Sequence, residues 1–187
     1  LKQLDQLLTE IENNKKLTKK IKVLPIIELA ISVLEVDTIA SLPRIDGILL
    51  GAEDLSSDLE VERTKEGKEI EYARSRVAMA CKAYQIDAID TPFTDVNDNV
   101  GLKKDCNNCK ALGMNAKAAI HPNQIDTINE AFLPTQKLIT WAKRVMIATE
   151  EANKKGIGAF SLDGKMVDKP VIERAMKILK KAERFNA

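Results

Sequence analysis

Apolar residues along this chain follow two rhythms. Short continuous runs occur at 22–28, 46–51, 86–90 and 117–120, and such runs read as buried parallel strands. Between them apolar positions return every three or four residues, the spacing of a helix with one buried face. Leu1, Leu4, Leu7, Leu8 and Ile11 form the first such face. Ile31, Leu34 and Ile39 predict a helix over 30–40, which Ser41-Leu42-Pro43-Arg44 breaks. Ile70, Ala73, Val77, Ala80, Cys81 and Tyr84 predict another, and a further helix over 97–112 stops at Gly113. Thr91-Pro92 closes the third strand, and His121-Pro122 closes the fourth.

The remaining third reads differently. Residues 124–131 predict a short helix, and Pro134-Thr135 opens a longer one with Leu138, Trp141, Val145 and Ala148 along one face. Lys154-Lys155-Gly156-Ile157-Gly158 ends it. Asp163-Gly164 suits a tight turn and predicts a hairpin over 159–168. Pro170, at a favoured first helical position, opens a last helix to about residue 184, with Ile172, Ala175, Ile178 and Leu179 inward. Strands alternating with helices give an α/β fold on a parallel sheet. Four such units do not close a (β/α)8 barrel; they form half of one, or an open sheet. No Gly-x-Gly-x-x-Gly follows a strand and no P-loop is present, which argues against dinucleotide binding.

Composition narrows the function classes. The chain has 187 residues, enough for one domain with a real core. Its 29 basic and 28 acidic residues nearly cancel, so nucleic acid or an anionic membrane is not its main partner. No apolar run reaches bilayer length, and there is no secretory-signal pattern. Three cysteines, an odd number, point to reduced thiols and a cytoplasmic location. The sequence opens on Leu1, inside an amphipathic pattern, and reads as a piece of a longer polypeptide. The lysines at 15, 16, 19, 20 and 22 read as a solvated helix end.

Candidate chemistry gathers at the downstream strand tips, where parallel α/β folds place their ligands. Glu28 ends the first strand, and Glu53 and Asp54 follow the second. Two carboxylates at neighbouring tips suit Mg2+, which takes one or two carboxylates and fills its other positions with water and substrate oxygens. Spacing alone does not separate Asp54 from Glu53, and either acid could instead cap a helix or pair with a base. His121, the only histidine, stands where a general base could sit, though a polar strand end that donates to backbone is the better reading. Cys106 and Cys109 have metal or redox spacing but lack a second pair, and with Leu102 they continue one helical face, so they read as core. Asp168 reads as a helix N-cap or as a mobile acid/base. Arg63, Arg74 and Arg76 could hold anions, with Glu69 and Glu71 near enough to be their partners. The polar stretch 56–67 is long for a connection, a length usually functional or mobile.

Several motifs in one order then carry a resemblance. They are Leu24-Pro25-Ile26-Ile27-Glu28, Gly51-Ala52-Glu53-Asp54-Leu55, Tyr72-Ala73-Arg74 and Ala88-Ile89-Asp90-Thr91-Pro92. Lys117-Ala118-Ala119-Ile120-His121-Pro122 with Gln124, Glu130-Ala131-Phe132 with Pro134, and Gly164 to Asp168 with Pro170 complete the set. From about Val23 onward the chain resembles the citrate lyase β-subunit family, which includes malyl-CoA lyases and citrate-lyase-like malate synthases. Glu62-Arg63-Thr64 with Glu66-Gly67 looks closest to the citryl-thioester branch.

The resemblance implies a (β/α)8 TIM barrel, usually trimeric. Residues 1–153 would be its C-terminal half, and 154–187 a hairpin and helix that pack on a neighbouring subunit. It implies that Glu28 and Asp54 are Mg2+ ligands, that the backbone of Ala118 and Ala119 contacts an acyl-CoA or acyl-carrier thioester, and that Asp168 is the acid delivered to a neighbour's site. The implied activity is Mg2+-dependent cleavage of citryl-CoA or a citryl-acyl carrier protein to oxaloacetate and an acetyl thioester. Malyl-CoA cleavage or malate-synthase-like condensation is the alternative on the same site. The family's N-terminal half, with an arginine that contacts substrate, has no counterpart here, which keeps a non-catalytic, truncated subunit as a third expectation.

Overall fold

The computed structural model describes residues 1–154 and 156–184. It divides into two compact units, one of residues Leu1–Phe132 and one beginning at Leu133.

In the first unit the four apolar runs pair as a parallel sheet in sequence order: β1 (Ile26–Ile27), β2 (Gly47–Leu50), β3 (Asp87–Asp90) and β4 (Ala116–Lys117). The strands are shorter than the apolar runs. Val23 meets Ile45 only as an isolated parallel bridge, and β4 is displaced upstream of its expected 117–120. Successive strands are joined by helices, as a parallel sheet requires. Helix α1 (Lys2–Asn14) precedes β1. The helix expected over 30–40 is two short ones, α2 (Ala30–Leu34) and α3 (Val36–Ala40), which part at Glu35. Helix α4 (Ala52–Asp58) begins directly after β2 and takes up the start of the stretch expected to be loop. Helix α5 (Glu71–Tyr84) joins β2 to β3, α6 (Asn99–Ala111) joins β3 to β4, and α7 (Ile125–Phe132) follows β4.

The register sorts the sheet into rows. One row is Ile26, Leu49, Ile89 and Ala116. The next contains Ile27 and Leu50 together with Asp90 and Lys117, all buried. With Ile48 and Ala88, these side chains pack under the helices, in a core completed by Val36, Leu55, Ile70, Val77 and Leu102. Ile26 is 50 % exposed and Leu24 57 %, so the opposite face keeps apolar side chains in the open.

Helix α1 is fastened by Arg44. Its guanidinium, almost fully buried, donates to Asp5, Thr9, Glu12 and the Ile21 carbonyl. The lysine run after α1 is exposed.

In the second unit α8 (Gln136–Lys154) packs on α9 (Lys169–Arg184), and between them β5 (Phe160–Leu162) and β6 (Lys165–Val167) form the expected hairpin around Asp163-Gly164. Ala142, Val145, Val167 and Ala175 form its core, and Arg174 lies 4.9 Å from the Trp141 ring centre. Lys155, within the expected stop at 154–158, and residues 185–187 of the expected appendage lie outside the described residues. Among the described residues no helix is long and apolar enough to cross a membrane.

Candidate active site

One residue beyond the buried row, the strand tips place Glu28, Gly51, Thr91 and Ala118 level with one another. Backbone bonds continue the pairing to this level: Gly51 N–H donates to Ile27 O at 2.9 Å and Ala118 N–H to Asp90 O at 3.0 Å. Glu28 is two residues from Ile26, so it leans to the open face of the sheet. Its side chain crosses the tip of β2. A Cβ on Gly51 would lie 2.5 Å from Glu28 Cγ and 3.1 Å from its Oε1. Glycine at 51 is therefore what admits the carboxylate to this position. Three residues on, Asp54 stands exposed in the first turn of α4.

Glu53, the competitor for a ligand role, faces Arg63, with Oε1 3.4 Å from Nε. Neither Glu28 nor Asp54 makes a hydrogen bond or ion pair among the described residues. Two hard-oxygen donors without a protein cation, one held over a glycine, fit a divalent ion of the Mg2+ class. Among the described residues no group of three or more His, Cys, Asp or Glu side chains is placed to hold a metal ion.

His121 is exposed and its Nδ1 accepts from Asn123 N–H at 3.2 Å, so it caps the 3-10 turn Pro122–Gln124 as an acceptor, not as the donor expected. Cys81, Cys106 and Cys109 are free and buried. Burial pushes the Cys106 thiol up to about 11 and the Cys81 thiol up to about 12. These are core thiols, inert by the rule that the thiolate is the reactive form. Asp168 directly precedes α9 and accepts from Val171 N–H at 3.3 Å, which is the helix-cap geometry.

Stretch 59–67 is tied down on both sides. Arg63 and the Thr64 N–H and hydroxyl converge on the Glu69 carboxylate, and Lys65 bridges Asp95 at 2.7 Å and Asp98 at 3.0 Å. Burial raises the Glu69 pKa, but the Thr64 amide and hydroxyl and Arg63 outweigh it and hold the group at about 2.

Arg74 does not pair along its helix as expected. It belongs to a buried tetrad that joins α5, β3, α6 and β4. Arg74 Nε and Nη2 donate to Asp90 at 2.8 and 2.9 Å, and Nη2 donates to Asp105 at 2.8 Å. Lys117 Nζ donates to Asp90, to Asp105 and to the Thr91 carbonyl at 2.6, 2.6 and 2.7 Å. All three ammonium protons are thus engaged. Burial works against the charged forms, yet the mutual fields hold Asp105 below its ordinary range and Lys117 above its own. Sequence reasoning missed this group although a signal existed. Arg74 falls on the apolar face of Ile70, Val77 and Cys81, and Asp105 falls on that of Leu102, Cys106 and Cys109. Arg76 pairs instead with Asp37 at 2.9 Å.

The family described as HpcH/HpaI aldolase/citrate lyase matches residues 1–122. The chain belongs to that family. Citrate lyase subunit beta of Escherichia coli K12 is 43 % identical over 140 residues, 75 % of this chain and 46 % of that protein. The Haemophilus influenzae subunit is 38 % identical over 182 residues, 96 % of this chain and 62 % of that protein. The chain thus spans about half to three-fifths of the length of these family members. Among solved structures, CitE from Mycobacterium tuberculosis in complex with magnesium, acetoacetate and coenzyme A superposes with a TM-score of 0.76 at 29 % identity, covering 90 % of this chain and 63 % of that one. Both bacterial subunits are named for citrate lyase, and the parallel α/β scaffold is what this chain shares with the family.

Proposed function

We propose that this chain carries the metal-binding part of a Mg2+-dependent carbon–carbon lyase that cleaves a citryl thioester to oxaloacetate and an acetyl thioester. The observation that carries the reading is the pair of uncompensated carboxylates, Glu28 over Gly51 and Asp54 in the first turn of α4. A family relative crystallised with magnesium supports it. Glu28 and Asp54 would hold the ion, and the chemistry it would supply when bound is polarisation of the oxygens of a chelated hydroxy or keto acid. The backbone at Ala118, in the row of Glu28 and Gly51, and at the next residue Ala119 would orient the thioester of acyl-CoA or an acyl carrier protein. Asp168 of a neighbouring copy, in a homotrimer or within a citrate lyase complex, would take the proton from the substrate hydroxyl. The bond between the carbinol carbon and the acetyl carbon then breaks. Its electrons form the thioester enolate, which is reprotonated at carbon. Buried free thiols support a reducing, cytoplasmic setting.

The open apolar row of the sheet supports reading it as half of a (β/α)8 barrel, with four further strands to cover Ile26, Leu49 and Ile89. Calorimetric Mg2+ titration and oxaloacetate release from citryl-CoA test the proposal, with malyl-CoA and glyoxylate plus acetyl-CoA as competing substrates. Asp54→Ala is expected to abolish both Mg2+ binding and Mg2+-stimulated turnover. Retention of both refutes the mechanism. The same open face favours a second reading, a non-catalytic assembly module, which absence of Mg2+ binding by the wild-type chain would select.

A further inference from the structure

Gly51 opens α4 but offers no side chain to cap it. The first free amide of the helix, that of Ala52, is instead held by Thr91 Oγ1, which accepts from it at 3.2 Å. Both residues are buried. Thr91 belongs to β3's downstream end, so the cap of the Asp54-bearing turn is supplied by a different strand. The same residue's carbonyl accepts from Lys117 Nζ at 2.7 Å, and the carbonyl just before it, Asp90 O, accepts from Ala118 N–H at 3.0 Å. The dipeptide Asp90-Thr91 therefore grips the metal-site turn on one side and the tip of β4 on the other. Asp90 is itself fixed by Arg74 and Lys117 and is fully buried.

We infer that Asp90-Thr91 is a positioning element, with the Thr91 hydroxyl setting the place of Asp54 relative to the Ala118-Ala119 backbone. This rests on the metal-site reading above for Glu28 and Asp54. Thr91 is buried, and its hydroxyl oxygen acts through the Ala52 amide rather than as a ligand. Its hydroxyl is the adjustable link, because the Lys117 and Arg74 contacts cannot be removed without stranding buried charge.

The test uses the whole chain, with Mn2+ as the probe ion, read by its paramagnetic resonance signal, together with amide hydrogen exchange. Thr91→Val keeps the side-chain shape and deletes the acceptor. It is expected to weaken Mn2+ binding about five- to tenfold, the effect of one lost buried hydrogen bond. Faster exchange is expected at Ala52 and, transmitted through the dipeptide, at Ala118. Thr91→Ser restores the oxygen and is expected to restore both readouts, which a merely packing role for the threonine methyl would not do. Asp54→Asn separates the two claims. If it leaves Mn2+ binding unchanged, the metal-site reading fails. If it abolishes binding while Thr91→Val binds as wild type, the positioning role fails instead. In a chain that binds no Mn2+, exchange decides: protection lost only at Ala52 overturns the coupling, and protection lost at both amides and recovered with serine supports it.

Discussion

Replacing Lys117 by Met is expected to be among the most damaging changes available in the first unit, and the tetrad says by how much. Arg74 and Lys117 balance Asp90 and Asp105, so the buried group is neutral. Methionine fills the lysine's volume but leaves two buried carboxylates facing one guanidinium, and it strands the Thr91 carbonyl. Breaking one partner out of a buried ion network costs about 3–5 kcal/mol, a large part of the ~5–15 kcal/mol that holds a domain folded. Urea unfolding followed by far-UV circular dichroism measures it. Fluorescence would not, because Trp141 is the only tryptophan and lies in the second unit. Two further observations separate charge imbalance from a packing defect. Lys117→Met combined with Asp105→Asn restores neutrality, so the double variant is expected to lose less than the sum of the singles, with a coupling of about 1–3 kcal/mol. The pH dependence also changes sign. In the wild type Asp105 is held below its ordinary pKa by Lys117 and Arg74 against burial. Its contribution is therefore present above the ordinary carboxylate pKa and is lost as pH falls below that value through the depressed folded one. In the variant the excess carboxylate, still buried, is pushed up. The folded state then takes up a proton on acidification, and the deficit against wild type shrinks as pH falls from neutrality. A deficit under about 1 kcal/mol, additive singles or a pH-independent deficit would refute the reasoning.

Two further outcomes follow from other contacts. Gly51→Ala places a methyl 2.5 Å from Glu28 Cγ; displacement of that carboxylate is expected to abolish Mn2+ binding while the helical circular dichroism signal persists, and an unchanged affinity would contradict the cradle. Glu69→Gln removes a group whose folded pKa is about 2 against an ordinary 4.5. The wild type is expected to lose stability as pH falls from about 4.5 toward 2, and the variant to show a flatter acid limb in the same unfolding titration.

Much of the fold was legible because parallel strands and amphipathic helices write themselves in periodicity. The four apolar runs, their order and the Asp163-Gly164 hairpin were readable without coordinates. Helix α4 was not. Its sequence, Ala-Glu-Asp-Leu-Ser-Ser-Asp, is polar at most positions, and it is held by a hydroxyl from another strand rather than by a cap of its own. The break at Glu35 left no proline or glycine to mark it. Arg63 and Glu69 were readable as neighbours, but Arg74 was not, since its partners lie sixteen and thirty-one residues away. The tie between Glu53 and Asp54 could not be settled by spacing, as adjacent helical residues both sit near the strand tip. The family resemblance was what pointed to Asp54; in the fold Glu53 faces Arg63 at 3.4 Å, and Asp54 has no such partner among the described residues.

The tetrad and the candidate metal site share no side chain and are each set by the register of a strand pair in the same sheet. Side chains alternate between the two faces of a strand, so a slip of one residue exchanges the faces. The pairing that puts Asp90 beside Lys117 under the helices is the pairing that puts Ile89 beside Ala116 in the row with Ile26 and Leu49. The β1–β2 register separately brings Glu28 level with Gly51, where the missing Cβ leaves room for it. A slipped β3 would carry Asp90 onto the open face and leave Lys117 and Arg74 buried without it. Apolar strand residues tolerate such a slip at modest cost, whereas a buried cation without its carboxylate does not. Four buried charges thus hold the β3–β4 register, and with it the place of the Ala118 tip against Asp90. That division of labour explains why charged residues fall on helix faces that otherwise read as core.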